Sequence, residues 1–326
     1  MAKAPTLPRY EDAVQRFRIE DELARLHGDP ARGINAYVEC CGRYTGGNRL
    51  ALRAISATGE LREFSFDDLG DLSGRAGNML KDLGVGPGDV VAGMLPRILE
   101  LVALILGAWR IGAVYQPLFT AFGPKAIEHR LGYSKAKLVV TNTANRGKLD
   151  EVEKRPRIAT ILAPGETLPA GDIDFRAAIA AASPDCEPVM RKGSDLFMMM
   201  STSGTTGHPK GVPVPLNALL AFGAYMRDAI GLRPDDVFWN IADPGWAYGL
   251  YYAITGPLQL GIATTFYEGA FNARSTYDIV ERLGVTSLAG SPTAYRLLMA
   301  EGAEAAARIK GKLRVVSSAG EPLNPE

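Results

Sequence analysis

Short apolar runs alternate with amphipathic stretches through most of this 326-residue chain, and that rhythm narrows the possible folds more than any other property. Runs at 90–94, 113–117, 138–141, 196–201, 237–241, 263–267, 287–289 and 313–318 have the length and composition of buried strands. Between them, periodic stretches at 98–109, 124–133, 216–230, 248–258, 275–283 and 292–301 predict helices. Pro124 can start the second of these, because its fixed φ suits a first helical turn. Strands and helices that take turns imply largely parallel sheets covered by helices, an α/β fold. Residues 163–195 are rich in Pro, Ala and Asp and read as a loose connector. A boundary near 190 then separates an α/β half at 61–190 from a second at 191–326. Residues 1–60 form an extension packed on that core.

Composition removes several function classes. A hydrophobic content of 47% supports a sizeable core. Lysine plus arginine equals aspartate plus glutamate, 36 against 36, so no strong field favours nucleic acid or an anionic membrane. The greasiest stretch, 98–115, is broken by Glu100 and Arg110 and is too short to span a bilayer. The first residues hold no apolar signal core. Three cysteines, Cys40, Cys41 and Cys186, form no disulfide framework and suggest reduced thiols in the cytoplasm. His27, His129 and His208 are too scattered to suggest a triad, and no Cys/His spacing suggests zinc.

The densest chemistry lies after the run at 196–201. Thr202, Ser203, Gly204, Thr205, Thr206, Gly207, His208, Pro209, Lys210 and Gly211 follow one another there. Glycines let backbone N–H groups approach a polyanion, hydroxyls add donors, and Lys210 adds a compact charge. A flexible surface loop has a similar composition. The order is not that of the common nucleotide hydrolases, which place a glycine directly before the lysine.

The order from Met199 to Lys210 resembles the phosphate loop of the AMP-forming adenylating enzymes, which include acyl-CoA synthetases, nonribosomal adenylation domains and luciferases. Asp243-Pro244-Gly245-Trp246-Ala247-Tyr248-Gly249 resembles the acid-binding region of acetyl-CoA synthetases. Gly256–Gly261 and Thr264–Gly269 continue that likeness, and Ser291-Pro292-Thr293-Ala294-Tyr295-Arg296 and the segment from Ala319 to Glu326 extend it. The resemblance implies two stacked layers of largely parallel sheet with the active site between them. It also implies a barrel-like part and a small C-terminal domain beyond Glu326, with the lysine used for adenylation. No catalytic residue is therefore assigned here. The chain is expected to be a large-domain portion, impaired in making acyl-CoA.

The resemblance further implies the chemistry. Attack of a carboxylate on the α-phosphate of ATP gives an acyl-adenylate and pyrophosphate, and coenzyme A then takes the acyl group. Thr202, Ser203, Gly204, Thr205, Thr206, Gly207 and Lys210 would hold the phosphates, with Mg2+ partly on Thr205. Gly320, Glu321 and Pro322 would border adenine, although a plain turn after the run at 313–318 explains them equally without the other motifs. Trp246, Ala247, Tyr248 and Ala319 would line the pocket for a small carboxylic acid, acetate first and propionate or a slightly longer acid next. A lone Trp is otherwise more often core. Arg130, Tyr248 and Asn272 would face coenzyme A, with a solvated helix face as the plain reading of Arg130. Two alternatives stay open. One is an amino-acid- or aryl-acid-activating domain that loads a carrier protein, with Asp243 binding an amine. The other is a non-catalytic nucleotide-binding remnant.

Overall fold

A computed structural model describes residues 9–202 and 209–322. Ser203, Gly204, Thr205, Thr206, Gly207 and His208 lie outside the described residues, as do 1–8 and 323–326. The strands in chain order are β1 (Leu50–Ile55), β2 (Leu61–Ser65), β3 (Val90–Met94), β4 (Val114–Pro117), β5 (Leu138–Asn142), β6 (Arg157–Ile161) and β7 (Ile173–Asp174). They continue with β8 (Leu196–Thr202), β9 (Lys210–Pro215), β10 (Phe238–Asn240), β11 (Thr264–Tyr267), β12 (Ser287–Gly290) and β13 (Val315–Ser318).

The largest sheet has seven strands in the order β7-β6-β5-β3-β4-β8-β9. All its pairings are parallel except β8 with β9. Every residue of β3 and β4 is buried. Strands covered on both faces must be apolar throughout, which is why they read as unbroken runs. The helix Phe66–Asp82 begins with a capping box, in which Ser65 and Asp68 satisfy each other's amides at 3.1 and 2.7 Å. It packs on the helix Leu99–Arg110 through small residues: a Cβ on Gly107 would lie 2.6 Å from that of Ala76. Each Leu or Ile buried in that layer contributes about 1.5–3 kcal/mol.

Two three-stranded sheets complete the architecture, in the orders β11-β1-β2 and β10-β12-β13. The strand pairing crosses the region near residue 190 in both directions. β1 pairs in parallel with β11, Leu52 opposite Thr264. β8 and β9, which come after the connector, complete the first sheet beside β4. One buried cluster accordingly joins Ile34, Trp109, Phe175, Phe197, Leu250 and Phe266. The architecture is α/β, mostly parallel in its large sheet, with flanking helices.

Several elements differ from the sequence-based expectation. The connector expected at 163–195 holds the strand β7 and the helix Phe175–Ala181, and the helix Phe66–Asp82 and strand β6 carry no expectation at all. Residues 210–215 form a strand rather than the exit of a loop. Residues 50–65 form a hairpin of β1 and β2 that the sequence reading left without strands. The expected helices at 216–230 and 248–258 each contain a π-helical turn, Tyr225–Ala229 and Leu250–Thr255. Among the described residues no helix is long and apolar enough to cross a membrane.

Candidate functional site

Strands β8 and β9 are the two legs of the hydroxyl- and glycine-rich segment. Thr202 stands directly opposite Lys210 in their antiparallel register. β8 and β9 are therefore antiparallel neighbours, whereas the sequence-based expectation runs from this segment straight to a helix. Lys210 is exposed at the start of β9. The helix Pro124–Ser134 fastens both legs. The Tyr133 hydroxyl lies 2.6 Å from Ser201 Oγ, and His129 Nε2 lies 2.9 Å from the Pro209 carbonyl oxygen. Gly211 is pressed against the Tyr133 ring, where a Cβ would come within 2.6 Å. Ser203, Gly204, Thr205, Thr206 and Gly207, expected to hold phosphates with Thr205 as the magnesium contact, lie outside the described residues.

The second segment leaves the carboxyl end of β10 as a tight turn. Asn240 Oδ1 accepts from the Ala242 amide at 2.9 Å, and Asn240 Nδ2 donates to the Tyr248 carbonyl at 3.2 Å. Asp243 Oδ1 accepts from the Gly245 amide at 2.7 Å, and the Trp246 amide donates to the Asp243 carbonyl at 3.0 Å. Gly249 is obligatory for this fold-back, since a Cβ there would sit 2.1 Å from the Asp243 carbonyl oxygen. Trp246 is thus presented at the surface, 41% exposed, and is not a core residue. Its ring rests on Phe119 and Phe122, with centroids 5.4 and 5.5 Å away. Both phenylalanines lie just after β4. The sequence reading passed over them, although two aromatics behind the carboxyl end of a strand were a usable signal.

Phe122 also explains Arg130. The guanidinium lies 3.9 Å from the Phe122 ring centroid, and Nη1 donates to the Ala126 carbonyl at 2.8 Å. Arg130 is only 5% exposed, so the solvated helix face expected as its plain reading is wrong. Its charge is stacked on an aromatic face instead of standing in water.

Tyr248 is half-buried, with its hydroxyl 3.4 Å from Ser317 Oγ. Burial pushes its phenol up to about 12, so it stays a neutral donor and acceptor. The contact ties the helical turn after Trp246 to β13, at whose end Ala319 follows. Ala247 is exposed and Ala319 half-buried. Asn272 is exposed and caps the helix Ala273–Leu283, its Oδ1 accepting from the Ser275 amide at 2.8 Å.

The last segment turns back on the third. Gly320 has φ +104°, a conformation that favours glycine. The Glu321 carboxylate accepts from the Thr293 amide at 2.7 Å and from the Thr293 hydroxyl. Those bonds hold its carboxyl below the ordinary value. Arg296 donates to the Pro322 carbonyl at 3.0 Å, and the Tyr295 hydroxyl donates to the Ser317 carbonyl at 2.8 Å. Gly320, Glu321 and Pro322 are therefore held against the start of the helix Pro292–Ala300.

Arg97, which the sequence reading did not select, links these parts to the large sheet. It follows β3 with a side chain 15% exposed. Its Nε donates to the Tyr267 carbonyl at 2.9 Å, its Nη2 to the Gly269 carbonyl at 3.4 Å, and its Nη1 lies 3.6 Å from Asp243 Oδ2. Burial pushes the Asp243 carboxyl above its ordinary value, against the Gly245 amide and the Arg97 charge. Arg97 also borders a crevice of about 430 Å³ between β1–β2 and the carboxyl ends of β3, β5 and β6. Among the described residues no group of three His, Cys, Asp or Glu side chains could hold a metal ion.

The family model for AMP-binding enzymes matches residues 43–326. The acetyl-coenzyme A synthetase of Bacillus subtilis is 34% identical over 327 residues, covering 98% of this chain and 57% of that protein. The acetyl-coenzyme A synthetase of Gemmatimonas aurantiaca is 33% identical, covering 90% of this chain and 49% of that protein. The crystal structure of a Brucella canis acyl-CoA synthetase superposes with a TM-score of 0.95 at 74% identity, covering 98% of this chain and 58% of that one. The chain thus spans about half to three-fifths of the length of these relatives.

Proposed function

Because the chain belongs to the AMP-binding enzyme family, we propose that it provides the ATP- and acid-binding part of an AMP-forming acid–CoA ligase. The observation that carries this reading is a convergence. Three segments far apart in sequence meet beyond the carboxyl ends of β10, β12 and β13: the turn from Asp243 to Gly249, the helix start at Ser291–Arg296 and the turn at Gly320–Pro322. In open α/β sheets, ligands bind at such strand ends.

The roles follow from the chemistry. A carboxylate is activated by displacing pyrophosphate from ATP, so the protein must hold the leaving phosphates and align the acid with the α-phosphorus. Thr202, Ser203, Gly204, Thr205, Thr206, Gly207 and Lys210 would bind the β- and γ-phosphates. Charge-assisted hydrogen bonds of this kind contribute about 1.5–3 kcal/mol each. Gly320, Glu321 and Pro322 would frame adenine. Trp246, Ala247, Tyr248 and Ala319 would receive a small carboxylic acid, with Phe119 and Phe122 backing the indole. Coenzyme A would approach from the side of Arg130, Tyr248 and Asn272. Mg2+ would sit on the phosphates and a loop hydroxyl, since the described side chains offer no cage of carboxylates or imidazoles. All three cysteines are buried free thiols, which suits a cytoplasmic enzyme.

Calorimetry with non-hydrolysable acyl-adenylate mimics, the acyl sulfamoyl adenosines, tests the reading. Binding of the acetyl or propionyl mimic, tighter than AMP and tighter than the aminoacyl mimic, is expected. Preference for an aminoacyl mimic would favour the carrier-loading alternative. Binding of AMP with no gain from any acyl group would leave a nucleotide-binding protein only.

A further inference from the structure

We propose that Arg97 is a positioning residue for the acid pocket, a single buried guanidinium that sets two site loops relative to the large sheet. The inference rests on the acid–CoA ligase reading above. Arg97 stands three residues after β3, a wholly buried strand of the large sheet. From there its side chain reaches out of the first sheet. Nε and Nη2 take the carbonyls of Tyr267 and Gly269, at the end of β11 and just before Asn272. Nη1 faces the carboxylate of Asp243, three residues before Trp246.

These three contacts are geometrically coupled. The guanidinium is planar and presents its donors as a rigid fork, so moving one partner moves the others. Asp243 transmits the constraint directly. Its other oxygen holds the Gly245 amide and its carbonyl holds the Trp246 amide, so the carboxylate and the indole are parts of one small turn. The pair is also sheltered from water, with side chains 15% and 22% exposed. Sheltered contacts keep their strength and leave an unpaired charge if one partner is removed.

The test uses the intact chain and its Arg97→Met, Arg97→Lys and Asp243→Asn variants. Calorimetry with acetyl, butanoyl and hexanoyl sulfamoyl adenosine is set beside AMP alone. Arg97→Met is expected to weaken the preferred acyl mimic about tenfold and to compress the differences among acids, while AMP binding moves less than about twofold. Lysine keeps the charge but not the fork and should restore part of the ranking. Arg97→Met combined with Asp243→Asn should lose less than the sum of the two single losses, because they break one link. Hydrogen exchange should show residues 243–249 and 267–272 loosening together in Arg97→Met. If that variant does not fold, Asp243→Asn alone carries the test, since it leaves both carbonyl contacts of Arg97 in place. An unchanged ranking of acids, or an equal loss for AMP and every acyl mimic, overturns the proposal. If the unaltered chain binds AMP but gains nothing from any acyl group, the ligase reading fails and the proposal falls with it.

Discussion

Lys210 begins β9 opposite Thr202 and is exposed, and the proposed function sets it against the β- and γ-phosphates of ATP. AMP lacks the β- and γ-phosphates, so Lys210→Ala should weaken ATP binding by about tenfold or more and AMP binding much less. Calorimetry with both nucleotides decides this, and equal losses would place the lysine elsewhere. A second residue-scale prediction concerns Asp236. Although burial pushes its carboxyl up, the hydrogen bonds from Arg314, Thr286 and the Arg233 amide outweigh burial and hold it below the ordinary aspartate value. A depressed native value means the ionised form stabilises the fold. That contribution is complete above the unfolded value near 4 and is lost as pH falls through the native value. Asp236→Asn should therefore cost about 3 kcal/mol near neutral pH by stranding Arg314. The gap in Tm between the two proteins should narrow as the solution is acidified below about pH 4. A gap independent of pH would show that the carboxylate is not the stabilising group.

At the scale of elements, the strands differ most in how they are covered. β3, β4 and β12 are wholly buried, while β9 is an exposed edge with one buried residue and β13 is half-covered. Amide exchange should follow that order, slowest in β3 and β4 and fastest in β9 and β13. Comparable protection in β9 and β3 would contradict it. The same contrast explains what was legible in the sequence. Strands buried on both faces announce themselves as apolar runs, as β3, β4 and most of β5 do, and the partly covered β8 is apolar enough to read the same way. Lys210–Pro215 carries two prolines and faces outward, so nothing local marks it as a strand; its pairing with β8 does. The π turns at Tyr225–Ala229 and Leu250–Thr255 likewise keep an ordinary helical pattern and are set by packing, with Tyr225 and Tyr252 centroids 4.2 Å apart. In the site, the turn around Trp246 is readable because local residue order encodes it, as the bonds of Asn240 and Asp243 to the amides that follow them show. Arg97 is not, because its role depends on a partner more than a hundred residues away, whereas Phe119 and Phe122 leave a local trace as aromatics just past a strand.

For the whole molecule, the exchange of strands between sheets matters more than the number of layers. Separately expressed pieces 1–190 and 191–326 would each lack strands that their sheets require. Each piece alone should be insoluble or molten, and the two together should recover native near-UV circular dichroism. A folded piece 1–190 by itself would refute this. The pairing of β1 with β11 also has a consequence for biosynthesis. β1 leaves the ribosome early, yet its parallel neighbour is translated about 200 residues later. At about 5–20 residues per second that is a wait of roughly ten seconds or more with one edge of the hairpin open. Until β11 is made, that open edge can pair with other strands. Synonymous changes that alter translation speed between codons 65 and 264 should affect the soluble yield of this protein while leaving its sequence untouched.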